Sequence, residues 1–204
     1  IEEAFPGKPV VVNRNCASME MQILSHDAVE QVKKDEDKIY IGYFSGSKTH
    51  DQDFKLVEEA LLEIMEEFPQ VYLKLVGVLS ENVMKRMEKR IEKLPFMEWQ
   101  KLPEVIAGID INLMPLENSI FHCCKSENKW MEAALVKVPS VMSRNIEMEH
   151  VIDNGKTAWL CSTKNEWLQA LKELVANPDE RKRMGENAYH VVMERYITQN
   201  TGKD

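Results

Sequence analysis

The strongest constraint on how this chain folds is an alternation running along most of its length, in which short β-rich apolar stretches are followed by amphipathic ones. Strand-like runs fall at 8–13 (KPVVVN), 38–44 (KIYIGYF), 71–77 (VYLKLVG), around IEKLPF, 109–116 (IDINLMPL), at PSVMS and at 157–162 (TAWLCS). Between them, helical spacing predicts helices over 18–34, about 52–68, about 81–90, around 102–107, a turn near 148–152, 164–176, and 178 to about 196. The 52–68 segment shows the reasoning: Phe54, Val57, Leu61, Ile64 and Met65 recur on one face, and Thr49 and Gln52 have capping-box spacing. Pro178 suits the first turn of the last helix. Strands alternating with helices imply an α/β fold, a doubly wound parallel sheet with helices on both faces. Ligands of such sheets bind outside the carboxyl ends of the strands. The loops SGSKTHD, GVLS, PFMEWQ, PLENSIFHCCKS and SRNIEME are therefore the places to look for chemistry.

Composition narrows the class. The 204 residues are 44% hydrophobic, enough for a substantial core, and 26 basic against 34 acidic side chains leave a net charge of -8. That balance argues against an extended nucleic-acid footprint. The longest apolar runs, such as Val10–Val12 and Ala133–Val136, are far shorter than the roughly 20 residues a membrane-spanning helix needs. Cys16, Cys123, Cys124 and Cys161 include an adjacent pair and no Cys-x-x-Cys, which suits a reducing, cytoplasmic setting. No signal peptide is visible, and a start at Ile1 suggests a piece of something longer.

One segment, CKSENKWMEAALVKVPSV at 124–141, breaks the ordinary rules. With Ser126 as N-cap, residues 127–137 form a helix that is apolar around most of its girth and therefore largely buried. Lys125, Asn128, Lys129 and Glu132 make a polar stripe along it. Lys129 and Glu132 could be a plain surface pair at i,i+3 spacing, with Lys125 solvated. Alternatively, lysines at the positive end of a helix dipole mark an anion opposite, and a carboxylate nearly two turns in could accept both hydroxyls of a ribose. Phosphates and ribose together describe a nucleoside diphosphate.

SENKWMEAALVKVPSVMS, IDNGKTAWLC and LKELVANPDERKRMGENAYHVVMERY, preceded in order by YFSGSKTHDQDF, VYLKLVG and LPFMEWQKLPEVIAGIDINLMPLENSIF, resemble the donor-binding C-terminal half of GT-B glycosyltransferases of the large retaining group. The resemblance covers about residues 38–196. It implies a Rossmann-like half of a GT-B fold that binds a nucleotide sugar (NDP-sugar), with no essential metal. The acceptor, a glycan or glycolipid, would be met by an N-terminal domain missing from this chain. Residues 1–37 are expected to be an interdomain connection and 197–204 a tail. Members carry Glu-x7-Glu at the helix, and Glu132 matches the second, ribose-holding carboxylate. The first falls on Cys124, leaving nearby Glu127 as the candidate catalytic carboxylate, while Ser126 and Glu127 replace the usual Phe-Gly. By the same resemblance Gly46, Lys48 and His50 would flank the donor diphosphate together with Lys125, Ser126 and Lys129, and the base would lie against backbone near Leu94–Phe96. In the full-length protein, membrane association through the other half is compatible with this reading.

Two rival signals are weaker. DQD at 51–53 has the Asp-x-Asp form that holds Mn or Mg in GT-A enzymes, but aspartates in a first helical turn are explained by the helix dipole. HCC at 122–124 cannot wrap three adjacent ligands around one zinc ion. Trp99, Trp130, Trp159 and Trp167 read as core or edge packing. A non-catalytic nucleotide- or protein-binding module of the same fold is the alternative from another class, and a GT-B epimerase lacks its own histidine and acidic pattern here.

Overall fold

A computed structural model describes residues 5–10, 13–46 and 51–200. Its centre is a six-stranded, wholly parallel sheet: β1 (Ile39–Ser45), β2 (Val71–Gly77), β3 (Ile91–Leu94), β4 (Ile111–Met114), β5 (Ser140–Ser143) and β6 (Trp159–Cys161). The strand order is β3-β2-β1-β4-β5-β6. The chain first builds outward from β1 to β3 and then returns to build from β4 to β6. The reversal leaves a crevice beside the carboxyl ends of β1 and β4, the topological switch point at which such sheets bind ligands.

Nine α-helices cover the sheet among the described residues: α1 (Met19–Gln31), α2 (Asp51–Glu67), α3 (Glu81–Arg86), α4 (Leu102–Ala107), α5 (Ile120–Cys123), α6 (Asn128–Leu135), α7 (Ile146–Val151), α8 (Lys164–Ala176) and α9 (Pro178–Arg195). On one face, Phe54, Val57, Leu61 and Ile64 of α2 and Trp167, Leu171 and Leu174 of α8 pack on Ile41, Leu73, Leu113 and Val141. On the other, Trp130, Met131 and Ala134 of α6 meet Ala188 and Val192 of α9 and Met114 and Met142 of the sheet. All of these side chains are essentially removed from water. This two-sided burial is why the inner strands read as nearly continuous apolar runs.

Several sequence-based expectations shift. Residues 8–10 and 13 form no strand, because no neighbouring strand pairs with them; 11 and 12 lie outside the described residues, as does the capping box at Thr49. The strand expected over 109–116 pairs only at 111–114, and Pro115, which has no N–H, follows it directly. The helix expected over 81–90 ends at Arg86 and continues as one 3-10 turn at Glu88–Arg90. A short helix, α5, lies in what reads as loop. Residues up to 200 are bonded to the body, and 201–204 lie outside the described residues: Ala17 N–H donates to Tyr196 O at 2.7 Å, Thr198 N–H to Ala17 O at 3.1 Å, and the Asn200 amide to Met193 O at 3.1 Å. The strand ends at the crevice are drawn together by Gly77, whose φ of +97° brings its Cα so close to Ser45 that an added Cβ would lie 1.9 Å from Ser45 O.

Candidate functional site

The start of α6 is held against the sheet by polar contacts that only a few residue types make. Asn112 on β4, 1% exposed, donates to Ser140 Oγ at 3.0 Å and to the Lys129 carbonyl at 3.4 Å. Trp130 donates its indole N–H to Thr157 O at 3.1 Å and meets Tyr196 edge-on at 5.7 Å between centroids. The N-cap falls on Glu127 rather than Ser126, so the helix begins one residue later than the spacing predicts. Ser126 is otherwise engaged: its Oγ accepts from the Asn15 amide at 2.9 Å.

With α6 so placed, Lys129 and Glu132 face a cleft of about 560 Å³ beside the switch point. Its other walls are Phe44, Ser45 and Gly46 at the end of β1, Val76, and the 96–100 segment. Lys129 Nζ donates to Phe44 O at 2.8 Å and lies 5.7 Å from the Tyr43 ring centroid. Burial lowers the Lys129 pKa, repulsion from Lys125 lowers it further, and Asp53 and Glu132 oppose the shift. Burial raises the Glu132 carboxyl pKa, with Lys129 opposing. Both side chains are half-buried, and the Lys129 ammonium is bonded to a strand-end carbonyl instead of standing free on the surface as the plain i,i+3 pair would have it. The Asn128 amide oxygen, in the same stripe, is buried and finds no hydrogen-bond partner among the described residues.

Behind the cleft lies a second polar cluster, missed from sequence because its members are far apart in the chain. Asp53, on the first turn of α2 and 1% exposed, accepts from Glu117 N–H at 2.9 Å. His122 Nε2 lies 3.2 Å from Asp53 Oδ1 and Lys125 Nζ 3.8 Å from Oδ2. His122 Nδ1 is 2.7 Å from Ser119 Oγ. Asp51 turns elsewhere and accepts from Ser80 N–H at 3.0 Å, so the two aspartates of DQD do not converge as a metal pair. Donor atoms of Asp53, Glu117 and His122 lie within 4.8 Å of one another and could hold a divalent ion. The Lys125 ammonium already places positive charge on the same carboxylate.

The remaining expected residues divide. Gly46 lines the cleft, and a Cβ there would meet nothing within 4 Å among the described residues. Lys48 and His50 lie outside the described residues. Cys124 is exposed. Glu127 is not among the residues lining the cleft: its side chain, 5% exposed, pairs with Arg14 at 3.2 Å. Burial, and next the Glu127 charge, push the Tyr196 phenol up to about 12. Trp99, expected as packing, is 39% exposed and lines the cleft, as does Phe96 at 75% exposure. No helix among the described residues is long and apolar enough to cross a membrane.

A family model described as Glycosyl transferases group 1 matches residues 38–177. No curated protein matches the sequence significantly. Among solved structures, HepE of Anabaena, crystallised with UDP and glucose, superposes with a TM-score of 0.64 at 16% identity, over 89% of this chain and 50% of that one. The sucrose-phosphate synthase of Thermosynechococcus elongatus gives 0.66 at 15% identity, over 91% and 48%. The C-terminal domain of a group 1 family protein (LpcC) from Francisella tularensis gives 0.60 at 16% identity, over 91% and 96%. The chain thus spans about half the length of the first two and nearly all of the third, an isolated domain.

Proposed function

The chain belongs to the group 1 glycosyl transferases, and on that footing we propose that it is the donor half of such an enzyme, binding an NDP-sugar whose sugar passes to an acceptor glycan or glycolipid. The observation that carries the reading is the half-buried Lys129 and Glu132, three residues apart on one helix and both lining the switch-point cleft. A cation and an anion half-buried one helical turn apart suit a ligand with phosphate at one end and hydroxyls at the other. Lys125 and Lys129 would neutralise the charge that develops on the departing nucleoside diphosphate, so no metal is required. Glu132 would accept from ribose hydroxyls. Gly46 would let the donor approach the backbone, and Phe44, Phe96 and Trp99 provide apolar surface for the base or sugar. In this reading residues 1–37 belong to the connection with an acceptor-binding half, and Glu127 supports the helix start through Arg14 instead of touching the sugar.

Calorimetric titration with UDP, GDP and ADP, without added metal, tests the proposal. One diphosphate should bind, and Lys129→Ala and Glu132→Ala should each weaken it; binding unaffected by both would refute the assignment. This chain alone should transfer no sugar. Cys124, standing where the family carries its first carboxylate, favours as second reading a non-catalytic nucleotide-binding module. Sugar transfer by the full-length protein would exclude that.

A further inference from the structure

A carboxylate is an odd neighbour for a site that receives phosphates, yet Asp53 is buried within the cluster that includes Lys125 and His122. The helix dipole explains why a charge is tolerated on the first turn of α2, but not why both oxygens face the loop between β4 and α6. That loop carries every contact just described: the Glu117 amide and His122 on Oδ1, and Lys125 on Oδ2. Lys125 and Lys129 repel one another, and Asp53 acts against that repulsion at Lys129. Asp53 also orders His122, since an acceptor-only carboxylate beside Nε2 keeps a proton there and leaves Nδ1 to Ser119.

We propose that Asp53 is the positioning residue of the diphosphate subsite, holding the 115–125 loop, and through it Lys125 and His122, in the arrangement that receives the phosphates. It touches no substrate. Before ligand arrives it serves as countercharge, so that two lysines can stand close together in a half-buried site; when the diphosphate binds, the lysines turn to a second anion without the loop being rebuilt. The inference rests on the donor-site reading above and adds the element that organises it.

Asp53→Asn is the test, because the amide oxygen can still accept from Glu117 while the charge that holds Lys125 is gone. Affinity is measured for the nucleoside diphosphate that the wild-type chain binds best and for its parent nucleoside. The expected result is a loss of roughly tenfold or more for the diphosphate, typical of a lost charged contact, with the nucleoside unchanged. In a Lys125→Met background the same substitution should cost less, because Asp53 acts through that lysine. Equal losses for both ligands, or no loss for the diphosphate, overturn the proposal. Should Asp53→Asn fail to fold, Lys125→Met and His122→Asn are titrated instead, and retention of diphosphate affinity in both overturns it equally. A wild-type chain that binds no nucleoside diphosphate brings down the donor-site reading and this inference together, whereas wild-type binding that is indifferent to Asp53 removes this inference alone.

Discussion

Glu132→Gln should move stability and binding in opposite directions. The side chain lines the cleft, and burial raises its pKa more than Lys129 lowers it. A carboxyl whose folded pKa lies above its unfolded value is a liability when ionised. The penalty is fully present above the folded value and disappears as pH falls below the unfolded value of about 4.3. Glutamine keeps the shape and removes the charge, so the empty protein should melt higher at neutral pH, and the difference from wild type should close as the solution is acidified toward pH 4. Binding goes the other way. A carboxylate accepting from ribose hydroxyls makes charged hydrogen bonds worth roughly 1.5–3 kcal/mol, or a factor of about ten to a hundred in Kd. Thermal melts across pH, paired with nucleotide calorimetry, read both effects. A lower melting temperature at neutral pH with unchanged affinity would refute the reasoning, since it would make Glu132 an ordinary stabilising partner of Lys129.

Gly185→Ala should be strongly destabilising, because a Cβ there would lie 2.0 Å from the Lys137 carbonyl oxygen; overpacking of this kind costs about 1–3 kcal/mol, roughly 2–4 °C in Tm per kcal/mol for a chain this long. Lys137 itself has φ +58°, so Lys137→Gly should raise stability by up to about 1 kcal/mol, less whatever its ammonium gains 5.2 Å from the Tyr189 ring centroid; a fall in Tm would mean the ring contact outweighs the backbone strain. Thiol labelling should be selective. Burial pushes Cys161 up to about 12, so at about pH 8 exposed Cys124 should react with iodoacetamide well before it, as peptide mass spectrometry would report.

How much of this was legible depended on whether the relevant contacts are local. The helix expected over 164–176 appears as Lys164–Ala176, because its signals lie inside the segment: an apolar face, and Thr163 and Glu166 in a reciprocal capping box. The start of α6 was misplaced by one residue for the opposite reason. Ser126 has the usual cap chemistry, but Asn15 occupies its hydroxyl, and Glu127 takes the cap position while Arg14, 113 residues away, holds its carboxylate. Asp53 could be explained by its own helix, and nothing local shows that its oxygens serve an amide 64 residues on. Lys129 and Glu132 read as a stripe, but i,i+3 spacing is the same for a surface pair and for a half-buried site; only the surroundings separate them. Phe96 and Trp99 were visible as aromatics in a loop at the carboxyl edge, and their exposure could not be told from composition.

With a net charge of -8 the chain repels a nucleoside diphosphate at long range, while in the proposed donor site Lys129 and Lys125 would attract it at contact distance. Salt acts unequally on the two: raising ionic strength from about 0.01 to 0.15 M shortens the screening length from about 30 to 8 Å, which removes most of the repulsion across the molecule and leaves a half-buried contact of a few ångströms largely intact. Nucleotide affinity should therefore stay level or rise over that range, the reverse of what a surface held together by exposed lysines would show. Calorimetry at the two salt concentrations decides the matter. A steep loss of affinity would mean that the phosphates are gripped by solvated side chains at the rim, and that the half-buried lysine of α6 is not the group that receives them.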